Sequence, residues 1–362
     1  MVRDYSAFLP GKGDAPQPAR PALSALEALG WRNFFAQQID AEALIETPPV
    51  RVLSVHRGGL HVAGDGIDTL IPAGPDSTVG DWLLLDRALP KSSRVLERAS
   101  LIKRRAAGHD RQVQLIAANI DTLFIVTSCN QDFNVARLER YLALAFDAEI
   151  EPVIVLTKTD LVDDPAPYVE EARGLSDRVQ VVALDARGGA PAQALADWCT
   201  PGRTVAFVGS SGVGKSTLTN ALSGAQHVAT QGIREDDAKG RHTTTHRELH
   251  PVPGGCLLLD TPGMRELQLT DVAAGIAEVF EDIEELAAGC RFRNCGHETE
   301  PGCAVRAAID DGQLDAPRLA RWRKLKAEDE FNSASLQQRR VKDRAFGKMV
   351  RGVMKDKSRQ KR

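Results

Sequence analysis

Apolar runs, broken at different intervals, give the chain several textures. From Arg51 to about Lys103 the runs are brief and closely spaced: Val50–Val55, Gly59–Ala63, Thr69–Ile71 and Asp81–Leu85. Between them stand Gly58-Gly59, Gly64-Asp65-Gly66 and Pro72–Ser77, residue types suited to tight turns. Short strands at such spacing predict a small barrel or sandwich, and an OB-type barrel fits the size. From about Ala117 to Leu269 the runs become continuous: Thr122–Thr127, Val153–Leu156, Val179–Val182, Thr204–Val208 and Leu257–Leu259. Parallel strands covered on both faces require such runs. Helical stretches such as Val135–Phe146 and Lys215–Leu222 lie between them, which predicts a doubly wound α/β sheet. Residues 272 to about 330 read as helical around a group of cysteines. Residues 1 to about 45 begin polar and Pro/Gly-rich, then show a short helical pattern around Leu23 to Ile39. No internal repeat is visible.

Composition narrows the class. With 362 residues, 43% hydrophobic and 26% charged, the chain has room for two or three domains with their own cores. No stretch approaches the roughly 18 uncharged apolar residues of a membrane span. Met1 to Arg20 contains no apolar leader, so a cytoplasmic protein without a membrane partner is expected. The formal charge of −3 is unevenly placed: Arg339 to Arg362 holds eleven Lys/Arg against two Asp/Glu, net +9, leaving −12 on the rest. A basic tail on an acidic body suits a polyanion such as nucleic acid, as does the cluster Lys103-Arg104-Arg105. Aromatic residues make up only 5%, so contact with RNA is expected through phosphates and shape rather than base stacking.

The strongest motif is Gly209-Ser210-Ser211-Gly212-Val213-Gly214-Lys215-Ser216, which matches G-x-x-x-x-G-K-[ST] between an expected strand and an expected helix. Glycines there let backbone N–H groups wrap phosphate oxygens, and the helix N-terminus adds a favourable dipole. Lys215 is expected to reach the β- and γ-phosphates and Ser216 to ligate Mg²⁺, with Thr217 beside it among the nucleotide contacts. Asp260-Thr261-Pro262-Gly263 follows the run Leu257–Leu259. Asp260 suits the Mg²⁺ shell and the Gly263 amide suits a γ-phosphate switch. ATPases and GTPases share that aspartate, so it does not choose the base. Thr157-Lys158-Thr159-Asp160, ending the run Val153–Leu156, does choose. Asp160 can accept from the guanine N1–H and exocyclic amine, which adenine does not present, while the Lys158 stem lies along the base. Thr157 stands where the commoner motif has Asn; it keeps a hydroxyl and loses an amide.

Cys290, Cys295, His297 and Cys303 gather three thiols and an imidazole within fourteen positions, a set suited to a closed tetrahedral zinc site. Cys129, Cys199 and Cys256 lie in or beside apolar runs and are expected as buried small hydrophobes. His227, His246 and His250 are expected as ordinary loop or surface residues.

The base-reading motif precedes the phosphate loop by about fifty residues, the reverse of the ordinary GTPase order. Leu184-Asp185-Ala186 stands where the last guanine-loop motif falls, with Asp185 in place of the usual Ser. Such a rotation only reconnects neighbouring strands and remains foldable. With Gly240-Arg241-His242-Thr243-Thr244-Thr245 as switch I, the chain resembles the circularly permuted GTPases of the RsgA (YjeQ/YloQ) family over roughly Arg51 to Arg323. The resemblance implies a multidomain α/β protein with an OB-fold RNA-binding domain (48–107), a circularly permuted P-loop GTPase domain (108–270) and a helical zinc-binding domain (271–335); an N-terminal extension (1–47) and a basic tail (336–362) are expected to flank them. It implies a part in late maturation of the small ribosomal subunit. Partners would be that subunit, its rRNA and GTP/GDP, with turnover stimulated by the subunit and the protein itself a monomer. The alternative is a nucleotide-gated rRNA-binding assembly protein in which hydrolysis is incidental.

Catalysis has a gap. Many GTPases orient the attacking water with a Gln directly after D-x-x-G, and here that position is Met264. The nearest candidate is His242, two residues before Thr244, and the resemblance points to the same histidine. Thr244 is the expected Mg²⁺-binding switch threonine, with Thr243 and Thr245 as alternatives, and Arg241 or a ribosomal group would supply positive charge. The rotated order also leads the chain from Gly263 straight through Met264–Leu269 into the C-terminal domain, so a γ-phosphate contact is expected to move that domain.

Overall fold

The computed structural model describes residues 23–56, 58–74, 76–105, 113–187, 189–224, 247–260 and 271–333. Three short helices lead in: α1 (Ala25–Ala28), α2 (Asn33–Ala36) and α3 (Ala41–Glu46). The pattern expected over Leu23 to Ile39 is thus two separate turns of helix, and Gly30 is the reason. Its φ of +88° reverses the chain so closely that a Cβ would lie 2.5 Å from Arg51 Nη1 and 2.8 Å from Gly202 O.

Strands β1 (Pro49–His56), β2 (Gly59–Gly64), β3 (Ile67–Pro72), β4 (Trp82–Leu84) and β5 (Arg94–Val95) pair antiparallel in the order β3-β2-β1-β4-β5. The four expected runs fall on β1 to β4 with ends shifted by one or two residues. A bulge between Val52 and Ser54 bends β1. Val50, Val52, Leu60, Val62, Ile71 and Leu83 form one core, while Trp82 and Leu84, alternating with Leu83, meet Phe35 and Leu96 in another. Strands β6 (Leu101–Arg105) and β7 (Val113–Ala118) make a separate two-stranded ladder. Its polar residues concealed it from a search for apolar runs.

The remaining strands are β8 (Thr122–Ser128), β9 (Glu151–Thr157), β10 (Gln180–Ala183), β11 (Thr204–Gly209), β12 (Glu248–Pro251) and β13 (Leu257–Asp260). They lie in the order β10-β9-β8-β11-β13-β12, parallel except for β12, which is antiparallel to β13 and continues the sheet into β1 at Ser54↔Glu248. Helices α4 (Val135–Asp147) and α5 (Ala166–Arg173) cover one face, and α6 (Ala190–Ala194) and α7 (Lys215–Ser223) the other. The period of two is explicit: Leu123, Ile125, Ile154, Leu156, Ala206 and Val208 face the first layer. Phe124, Val126, Val153, Val155, Val205 and Phe207 face the second. The chain proceeds outward from β8 to β10 and returns on the other side of β8 as β11. The β8/β11 boundary is therefore the switch point at whose carboxyl end a ligand crevice opens.

Helices α8 (Ala273–Val279), α9 (Glu281–Ala288), α10 (Ala304–Asp310) and α11 (Ala316–Ser333) complete the described residues. They dock on α4. Gly275 approaches α4 so closely that a Cβ would lie 1.8 Å from Ala143 O. Glu139 of α4 is fully buried and accepts from Arg321 Nε at 2.8 and 2.9 Å, with Arg318 Nη1 at 3.5 Å. Burial pushes the Glu139 carboxyl upward, and the two arginines oppose that shift. One α/β-domain helix therefore carries the C-terminal module.

Candidate functional site

β11 ends at Gly209, where a φ of +139° and a virtual Cβ only 2.1 Å from Val126 O admit no side chain. Gly212 and Gly214 also have positive φ, at +78° and +102°. Left-handed glycines interleaved with ordinary residues give the backbone form of an anion nest, opening onto the N-terminus of α7. Val213 is buried beneath it, and Ser216 and Thr217 are half-buried in the first turn of α7. Lys215 Nζ donates to Gly209 O at 2.8 Å and to Ser210 O, so the ammonium lies against the loop itself. Arg137, in the first turn of α4, donates to Ser210 Oγ from across the crevice.

Thr157 is fully buried at the end of β9. Its Oγ1 lies 2.6 Å from Val213 O and 3.1 Å from Thr127 O, tying the turn that starts at Lys158 to the glycine-rich loop and to β8. The hydroxyl thus retains a bracing part without an amide. Lys158 follows in the left-handed region (φ +57°, ψ +35°), a conformation costing a non-glycine residue about 1–2 kcal/mol. It starts a single 3₁₀ turn, Thr159–Leu161, that carries Asp160. The Asp160 carboxylate pairs with Arg187. Asp185 grips the same guanidinium, Nε to Oδ1 and Nη2 to Oδ2 both at 3.0 Å, and also accepts from the Arg187 N–H at 3.0 Å. Those bonds hold the Asp185 carboxyl below its ordinary range. The segment Leu184–Ala186 therefore adjoins Asp160 in space.

Asp260 ends β13, parallel to β11 with Ala206↔Leu259 in register, so its backbone stands at the same end of the sheet as Gly209. Partial desolvation pushes its carboxyl upward, opposed by His250 on the neighbouring β12. His250 is exposed, 3.7 Å from Glu248, in keeping with an ordinary surface histidine. His242, Thr244 and the rest of Gly240–Thr245, together with Gly263, Met264 and the basic tail, lie outside the described residues.

The cysteine cluster assembles. Cys290, Cys295, His297 and Cys303 bring their ligand atoms within 4.8 Å of one another. His297 Nδ1 is 3.6 Å from Cys290 Sγ and 3.4 Å from Cys303 Sγ, and the two sulfurs are 3.9 Å apart. His297 has a left-handed backbone (φ +57°), and its buried ring lies 5.5 Å from that of Trp322 on α11. Desolvation, aided by Arg323 and Lys326, lowers its pKa and favours the neutral imidazole that a metal needs. Glu300 orders the loop by accepting from the backbone amides of Gly296 and Glu298, both at 2.8 Å, and of Thr299 at 3.0 Å. These bonds hold its carboxyl at about 2. The arrangement suits one metal ion. Cys129, Cys199 and Cys256 are buried as expected.

Arg137, Arg187 and Glu300 were absent from the sequence-derived site. Arg187 lay one residue beyond the singled-out segment Leu184–Ala186, but spacing alone does not say which way an arginine reaches. Arg137 had no local signal, because its partner is 73 positions away.

Comparison with known proteins gives concordant matches. The RsgA GTPase family model matches residues 95–270. "Small ribosomal subunit biogenesis GTPase RsgA 2" of Vibrio parahaemolyticus is 48% identical over 335 residues, covering 92% of this chain and 93% of that protein. "Small ribosomal subunit biogenesis GTPase RsgA" of Mesorhizobium japonicum is 50% identical over 317 residues, covering 85% of this chain and 91% of that one. Among solved structures, YjeQ from Thermotoga maritima superposes with a TM-score of 0.56 at 24% identity, covering 77% of this chain and 97% of its own. YloQ, described as a circularly permuted GTPase, gives a TM-score of 0.51 at 26% identity, covering 80% and 97%.

Proposed function

The chain belongs to the RsgA GTPase family, and from that premise we propose how its residues divide the work of a GTPase in small ribosomal subunit biogenesis. The protein hydrolyses GTP. Asp160 reads the guanine edge, with Thr157, Lys158 and Thr159 forming the turn that presents it. Gly209 to Thr217 hold the phosphates, with Lys215 as the cation on the β- and γ-oxygens. The observation that carries this reading is the junction at Thr157, where one buried hydroxyl 2.6 Å from Val213 O connects the base-reading turn to the phosphate loop. Rotated motif order has left the two halves of the site joined in space.

Mg²⁺ suits the oxygen donors Ser216 and Asp260, with Thr244 from switch I, and when bound it neutralises charge on the transferring phosphate. Gly263 supplies its amide to the γ-phosphate. His242 orients the attacking water that Met264 cannot. His242→Ala is expected to lower subunit-stimulated kcat by about a hundredfold with GTP affinity retained; single-turnover kinetics and nucleotide titration check this, and an unchanged kcat would reject the assignment.

A single structural zinc fits the metal cluster. Tetrahedral bonds of about 2.3 Å to sulfur and 2.0–2.1 Å to nitrogen imply ligand separations of roughly 3.6–3.8 Å, against separations here of 3.4, 3.6 and 3.9 Å. Four protein ligands leave no open position, so the ion acts as a staple. The β1–β5 unit serves as an OB-type rRNA-binding barrel within residues 48–107, and Lys103, Arg104 and the tail 336–362 add phosphate contacts. The GTPase domain occupies 108–270 and the zinc domain 271–335, behind the extension 1–47. The protein works in the cytoplasm as a monomer.

GTP turnover measured with and without purified small subunits tests the whole scheme. Strong stimulation is expected. Turnover unchanged by the subunits, with binding intact, would favour the nucleotide-gated assembly protein instead.

A further inference from the structure

Asp185 stands where a serine would ordinarily sit, and the exchange has a chemical consequence. A serine hydroxyl can donate a hydrogen bond to a neighbouring carboxylate, whereas an ionised aspartate only accepts. Asp160 and Asp185 share one guanidinium, that of Arg187, and without a donor between them two carboxylates would repel and turn apart. The Arg187 fork fills that gap. Nε and Nη2 grip Asp185 side-on at 3.0 Å, and Nη2, which has a second hydrogen, also reaches Asp160 Oδ2. The Asp185 Oδ1 that accepts from the Arg187 backbone N–H at 3.0 Å closes the unit on itself, so the guanidinium is aimed before any ligand arrives.

We infer that Arg187 is the positioning residue for guanine selectivity: held by Asp185, it fixes the orientation of the Asp160 carboxylate so that both oxygens meet the base. This rests on reading Asp160 as the guanine-binding carboxylate. Guanine offers two donors, N1–H and the 2-amino group, and a two-point contact needs the carboxylate plane held against rotation. A carboxylate oxygen has two lone pairs, so Oδ2 can accept from Arg187 and still accept from the base. The fork also explains why arginine serves here. A lysine ammonium is a point charge and cannot hold Asp185 side-on while aiming a separate N–H at Asp160.

The test compares affinities of the full-length protein for guanosine diphosphate, inosine diphosphate (which lacks the 2-amino group) and inorganic pyrophosphate. Arg187 is 68% exposed along its side chain, so its replacement should leave the fold intact. Arg187→Ala is expected to weaken guanosine diphosphate binding about fivefold, the upper end of an exposed ion pair. Inosine diphosphate should lose less, pyrophosphate should be unaffected, and Arg187→Lys should recover part of the loss. Unchanged or tighter guanosine diphosphate binding, or equal losses for all three ligands, would overturn the inference. Asp160→Asn separates the underlying reading, since it should shift preference toward xanthosine diphosphate. No such shift would remove the base-reading role of Asp160 itself, whatever Arg187→Ala does.

Discussion

Chelating the metal from the Cys290, Cys295, His297 and Cys303 cluster is expected to unfold the module around it while the nucleotide pocket still binds. Between α9 and α10 the chain makes only turns and bends from Gly289 to Gly302, with no helix or strand to hold it. Much of its side-chain surface is exposed, the buried exception there being His297. A bound zinc would cross-link that loop to Cys303, the N-cap of α10, and structural zinc in small modules contributes on the order of 10 kcal/mol of apparent folding free energy at neutral pH. The parallel sheet has apolar layers on both faces and does not depend on the staple. Elemental analysis should find one zinc per chain. After chelation, hydrogen exchange should lose protection over residues 290–310 and keep it over 204–217, with GDP affinity little changed. Cys303→Ser should reproduce the chelated state. Full protection of the 290–310 segment without metal would refute the structural role.

Arg51→Met should cost about 3–5 kcal/mol of stability. The guanidinium is 1% exposed and donates to Gly80 O at 3.3 Å, Asn119 O at 3.0 Å, Thr204 Oγ1 at 2.8 Å and Leu29 O. It also lies 5.8 Å from the centroid of the Trp82 ring. One side chain thus joins the lead-in helices, the β1–β5 unit and the parallel sheet, and methionine fills the stem while orphaning these acceptors. Burial pushes the Arg51 pKa down to about 10, with Asp121 partly opposing. The folded value lies below the unfolded one, so the group is a cation in both states at neutral pH and its contribution there is flat. Urea denaturation at neutral pH checks this; a loss below about 1 kcal/mol would refute the joining role.

Much of the fold was legible because its signals are local. The five apolar runs became β8, β9, β10, β11 and β13; of these β8, β9, β11 and β13 are largely buried, and strands covered on both faces tolerate apolar residues at every position. The phosphate loop was readable because Gly209 leaves room for Val126 O and for nothing larger. The Cys/His cluster was readable because all four residues lie within one short segment, which chain connectivity brings together. The β6–β7 ladder was not, because its polar residues break the pattern. Nor was the division of Leu23 to Ile39, which follows from Gly30 meeting Arg51 and Gly202, residues far along the chain.

The residue string was enough to order the motifs and to nominate their chemistry: a phosphate cradle, a guanine-reading carboxylate and a metal-ligand set. Folding decided how these parts are held. Arg187 reaches Asp160 across 27 positions, Arg137 reaches Ser210 across 73, Arg51 reaches Thr204 across 153 and Arg321 reaches Glu139 across 182. Each is an arginine whose long side chain can satisfy many acceptors, so its partner is fixed only when the backbone has brought a carboxylate or hydroxyl within reach. The motif order identified a permuted GTPase; the tertiary structure made Thr157 the joint between its two halves, because a buried hydroxyl must find an acceptor and Val213 O was there.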